Sequence, residues 1–106
     1  MSETVAGEGY ASLYRRCRHV LEHEGFVVRR GTAGPSLPDL IASNRAHTLH
    51  VLVVPDPEID AERTRSRIAA SVRRAETRVF VTLPFRWRMI SNLERWGIDG
   101  VAVDML

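Results

Sequence analysis

The chain contains no lysine, and all 15 of its basic residues are arginine. A Schiff-base lysine, a P-loop lysine gripping phosphate and a nuclease lysine are therefore all excluded. Cysteine is nearly as scarce. One residue, Cys17, cannot form an internal disulfide or a Cys-x-x-Cys metal or redox motif. It falls in step with Leu13, Val20 and Leu21, so it reads as a small buried apolar residue rather than a nucleophile. No apolar run approaches the roughly 20 residues that cross a bilayer, and Met1-Ser2-Glu3-Thr4 is not the start of a secretory signal. An intracellular protein without membrane contact is expected. A large charge excess is missing too: 13 acids leave a net charge of only +2, less than proteins that live on phosphate backbones usually carry.

What is present is patterning. The 106 residues suffice for one domain, 1–106, and one core. Tyr10, Leu13, Tyr14, Cys17, Val20 and Leu21 recur at helical spacing, which predicts a first helix over about 8–24 ended by Gly25, with a frayed segment over 1–8. Phe26 to Arg30 reads as a strand and Gly31 to Pro38 as a loop of turn formers. Asp39 to Ser43 forms a second strand, Asn44 to His47 a tight turn, and Thr48 to Val54 a third strand. The apolar run from Leu49 suits a central strand covered on both faces.

Asp60 is placed to cap a helix reaching about Glu76, with Ala61, Ile68, Val72 and Ala75 inward and Arg63, Arg67 and Arg74 opposite. Arg65 falls near the apolar face and must snorkel or find a partner. Arg78 to Leu83 reads as a fourth strand. Phe85 to Trp96 reads as a helix with Phe85, Met89, Ile90, Leu93 and Trp96 inward, stopped by Gly97, and Ile98 to Val103 as a last strand. The order αβββαβαβ predicts an α/β sandwich with a mixed central sheet flanked by helices. A dinucleotide-binding Rossmann sheet is disfavoured, because Gly31-Thr32-Ala33-Gly34 leads into a strand and not a helix.

The helix ending Leu21-Glu22-His23-Glu24-Gly25-Phe26, the basic strand after it, the segment Pro38-Asp39-Leu40-Ile41-Ala42 and the apolar third strand together resemble the PD-(D/E)xK superfamily. This is the restriction-endonuclease-like fold, and the likeness is nearest to its archaeal Holliday-junction resolvases. It covers most of the chain, including Trp96 to Asp104. The resemblance implies Mg²⁺-dependent DNA cleavage by two carboxylates and a lysine two residues after the second, within a symmetric homodimer. Asp39 matches the first carboxylate. Leu52 and Val54 stand where the second carboxylate and the lysine belong. Tyr14 and Arg16 stand where many resolvase-like members carry a helical glutamate.

A lone aspartate holds Mg²⁺ weakly. The expectation is therefore a nuclease-fold protein that has lost catalysis, needs no cofactor, and serves as a DNA-binding or assembly module. The setting suggested is phage or DNA processing, and the place cytoplasmic, or a virion if the gene is a phage's. The alternative is an active endonuclease in which Asp39 shares Mg²⁺ with relocated acids, Glu24, Asp56 and Glu58, while His50 or Arg65 replaces the lysine. Asp56, Glu58 and Asp60 are also ordinary helix-start residues, and a lone His50 in an apolar strand is more often a core histidine. His19 and His23 have i, i+4 spacing but lack the glutamate and third ligand of a zinc helix.

Arg29, Arg30, Arg63, Arg67, Arg74, Arg86 and Arg88 are the candidate DNA contacts, with Gly31 to Ser36 offering backbone donors to phosphate. Trp87, between Arg86 and Arg88, is a candidate base-stacking or protein-partner residue, unless it packs over Pro84. A third reading is a structural module of a virion or oligomer.

Overall fold

The computed structural model describes residues 2–31 and 38–106 of the chain. Along the sequence run α1 (Ser2–His23), β1 (Val27–Arg30), β2 (Leu40–Ser43), β3 (Thr48–Val54), α2 (Ala61–Val72), β4 (Glu76–Val81), a short 3₁₀ turn (Leu83–Phe85), α3 (Arg86–Trp96) and β5 (Val101–Met105). The five strands form one mixed sheet in the order β1-β2-β3-β4-β5. Neighbours β1/β2 and β2/β3 are antiparallel, the second pair joined by the tight turn at Asn44–His47, while β3/β4 and β4/β5 are parallel and joined through α2 and α3. No helix among the described residues is long and apolar enough to cross a membrane.

The alternation of side chains along β3 divides the core in two. Leu49, Val51 and Val53 pack with Leu13, Cys17 and Leu21 of α1, and with Val28, Leu40, Ala42 and Phe80. Leu52 and Val54 point the other way and pack with Ile68 of α2, Met89 and Leu93 of α3, and Val79 and Val81 of β4. So α1 covers one face and α2 and α3 the other, and β3 is the middle strand with apolar neighbours on both sides.

Several boundaries differ from the sequence reading. The helix α1 starts at Ser2, so residues 2–8 are helical rather than frayed; internal glycine costs a helix about 1 kcal/mol but does not forbid it. At its other end Gly25 has φ +97°, and the Gly25 and Phe26 amides donate to the Glu22 and Leu21 carbonyls, which closes the helix. The helix α2 ends at Val72 because the Arg74 and Ala75 amides both turn back to the Ser71 carbonyl. The buried Ser71 and Thr77 hydroxyls then meet at 2.9 Å, which starts β4 at Glu76. Asp60 does occupy the N-cap position of α2, but in a left-handed conformation (φ 54°) and without a side-chain capping bond.

Gly31 controls where β2 begins. Its amide donates to the Asp39 carbonyl at 2.9 Å. A Cβ there would lie 1.8 Å from the Pro38 carbonyl oxygen, which is backbone and cannot step aside. Gly31→Ala is therefore expected to destabilise the domain by about 2 kcal/mol or more, measured by urea denaturation, since relief requires moving the chain next to Asp39.

Candidate functional site

Asp39 precedes β2 at the end of the sheet where β3 and β4 terminate, the edge at which open α/β sheets commonly bind ligands. Every polar group of this residue is engaged. Its amide donates to the Val51 carbonyl at 3.0 Å, and its own carbonyl accepts from Gly31. One carboxylate oxygen, Oδ1, accepts from the Tyr10 hydroxyl at 2.7 Å and lies 3.3 Å from a terminal nitrogen of Arg67. The other, Oδ2, accepts from the Val53 amide at 2.7 Å. With side-chain exposures of 10% for Asp39 and 18% for Arg67, the pair is largely shielded from water. The carboxylate thus joins α1, β3 and α2. Burial, followed by the hydrogen bond and charge of Asp39, holds the Tyr10 phenol well above its ordinary pKa, so it remains a donor.

Continuing the β2/β3 register by one pair places Leu52 opposite Asp39. Leu52 and Val54 are 1% and 5% exposed and belong to the core under α2 and α3. Beside the clamp opens a cavity of about 620 Å³, bordered by Tyr10, Val54, Pro55, Arg67, Thr82 and Phe85. Its largely aliphatic and aromatic wall offers little to Mg²⁺, which keeps its waters unless hard oxygens converge.

Of the relocated acids, Asp56 borders this cavity, while Glu24 and Glu58 are each paired with an arginine. Glu24 lies just beyond α1, fourteen residues after Tyr10, hence about 20 Å along the helix. Its carboxylate pairs with Arg78 at 2.9 Å, and Arg78 also binds Asp104 at 3.0 Å. Burial opposes the charge on Arg78, but the bonds to Asp104 and Glu24 outweigh it and raise its pKa. Asp56 accepts the Glu58 amide in a turn, and Glu58 pairs with Arg88 at 2.7 Å. Among the described residues no three His, Cys, Asp or Glu side chains are grouped to hold a metal ion.

His50 pairs with Ile41 and Thr77 across the sheet, and its buried Nδ1 has no hydrogen-bond partner among the described residues. Burial first, then the charges of Arg74 and Arg29, lower its pKa, so it is neutral near pH 7.

The candidate DNA cations do not form one patch. Arg67 turns inward, whereas Arg65, expected near the apolar face, is exposed and 3.7 Å from Glu62. Arg63 lies 4.0 Å from Asp60. Arg74 precedes β4 and Arg86 follows it, so six residues of strand, about 20 Å, separate them. Arg29 and Arg30 are exposed on the edge strand β1. The loop donors expected from Thr32 to Ser36 lie outside the described residues. Trp87 is 74% exposed, with Arg86 5.3 Å over its ring.

Sequence reasoning missed Tyr10 as a site residue. The available signal was its place at the end of the Leu13/Cys17 stripe, where a phenol can rest part of its ring on the apolar face and direct its hydroxyl to a partner. No family model, curated protein or solved structure matches the chain.

Two outcomes follow from this geometry. Removing the acceptor with Asp39→Ala strands the Val53 amide and takes a counter-charge from Arg67, and should cost about 2–4 kcal/mol in chemical denaturation, against about 1 kcal/mol for Tyr10→Phe. Because folding lowers the proton affinity of His50, the unfolded chain takes up the extra proton first. The stability associated with neutral His50 is complete above about pH 6.5 and declines as pH falls below it. Thermal melts between pH 7 and 5 should show this slope, and His50→Gln should flatten it.

Proposed function

We propose that the chain is a restriction-endonuclease-like domain that has lost catalysis and binds DNA. The observation that carries this reading is the state of Asp39, the residue matching the family's first metal ligand. Both of its oxygens accept hydrogen bonds from the protein and an arginine lies against it. An ion replacing these partners would have to compensate the lost contact between Asp39 and Arg67 as well as its own dehydration. Further support comes from the arrangement around Asp39: a helix, three antiparallel strands, a crossover helix and a parallel strand, with Asp39 at the tip of the second strand.

With the carboxylate occupied, what remains to meet a nucleic acid is arginine. The modest net charge predicts weak, salt-sensitive binding and not a tight complex. A protein-assembly role is the second reading. It rests on Trp87, Leu83 and Ile59, which are 74%, 60% and 62% exposed around the turns that follow β3 and β4. Trp and Arg side by side are frequent interface anchors.

The test is to incubate the protein with linear and branched DNA in Mg²⁺ or Mn²⁺ and to follow cleavage and binding separately. The expected result is no cleavage, with binding at 50 mM salt that falls steeply by 200 mM. Cleavage that disappears in a folded Asp39→Asn variant would overturn the loss of catalysis. Absence of binding at low salt would overturn the DNA role. Self-association lost in Trp87→Ser, seen by light scattering, would then favour assembly.

A further inference from the structure

A second concavity, of about 490 Å³, lies between α2 and the carboxyl end of α3. It is lined by Arg65 and Arg73 of the α2 side, by Arg95 and Trp96 of α3, and by Val72 and Asp99 among others. Arg65, Ala69, Val72 and Arg73 follow one another at helical spacing, so a single stripe of α2 faces this groove.

We propose that this groove binds the phosphodiester backbone of an unpaired nucleic-acid strand, with one base against Trp96; the inference rests on the DNA-binding reading and gives it a location. Three features carry it. Helix dipoles alone favour a cation near each helix end, at about −0.5 charge apiece; three guanidiniums exceed both ends and Asp99 by about one charge, which Glu62 beside Arg65 offsets. Arg95 is held in place by a neutral partner, because its guanidinium donates at 2.6 Å to the amide oxygen of Asn92, which is 2% exposed. Burying an amide is costly, and this one fixes a cation without cancelling its charge. Finally, the acid beside Arg65 is Glu62, 80% exposed and 3.7 Å away, a contact weak enough for a phosphate to displace. Trp96 is half-buried, packed against the core under α2 and α3 while lining the groove, and arginines around its exposed part supply the charge and stacking surface that single strands require.

The binding experiment uses the full chain carrying Trp87→Phe, so that fluorescence reports Trp96, titrated with a short oligothymidylate at several salt concentrations. Saturable quenching is expected. Arg73→Ala and Arg95→Ala should each weaken binding roughly five- to tenfold and reduce the log–log salt slope by about 0.7, the loss of one phosphate contact on a single strand. Asn92→Asp, which retains the acceptor for Arg95 but neutralises it, should lower that slope by a similar step while the variant stays folded by circular dichroism. Arg29→Ala with Arg74→Ala, which alters two candidate contacts outside the groove lining, should weaken binding less than either groove variant.

Wild-type affinity in the groove variants, with loss in the Arg29 and Arg74 variant, would overturn the groove and leave DNA binding standing. No binding by the parent protein at low salt would overturn both. Competition by thymidine monophosphate or inorganic phosphate as effective as by the oligonucleotide would overturn a strand as the ligand.

Discussion

A carboxylate buried where two helical layers and a sheet meet must find donors, and Asp39 finds them in three different elements. The Tyr10 hydroxyl comes from α1, the Val53 amide from the backbone of β3 and the Arg67 guanidinium from α2. Left unmatched, such a group would cost several kilocalories per mole; matched, each bond adds about 1–3 kcal/mol at most. The net gain is small, but the geometric consequence is large. A carboxylate with these three partners fixes the position of α1 against the sheet, the tip of β2 beside β3, and the inward turn of α2. The same partners compete with a metal ion for the same oxygens.

A second polar clamp works at the other end of α1. Arg78 on β4 joins Glu24, just past the helix, to Asp104 on β5, and its guanidinium lies 5.1 Å over the Phe80 ring. Between the two clamps α1 is held by Leu13, Cys17 and Leu21, all fully buried. Apolar stripes alone tolerate sliding of a helix by a turn. Directional bonds at both ends, Tyr10 to Asp39 and Arg78 to Glu24, remove that freedom.

The elements were legible because their signals are local. Period-two and period-3.6 patterns placed five strands and three helices close to where they lie, and the continuous run from Leu49 identified the middle strand. Cys17 also behaves as its place in the stripe suggested: burial pushes its thiol up to about 12, far from a reactive thiolate. The site was less legible because its bonds are not local. Arg67 and Arg65 flank the same helical stripe, and choosing between them required knowing that Asp39, 28 residues away, waits beside one of them. Glu24 points in sequence to nothing in particular; its partner is 54 residues on. The Arg95–Asn92 tether is close in sequence, yet it gains meaning only once α2 lies alongside α3.

The account rests on Asp39 acting as an acceptor for the protein rather than for a metal. A double-mutant cycle between Asp39→Asn and Arg67→Met, measured by urea denaturation in EDTA and again with Mg²⁺, tests this most directly. The account predicts a coupling above about 1 kcal/mol that is the same with and without the ion. Coupling near zero, with Mg²⁺ stabilising the parent protein but not Asp39→Asn, would contradict it.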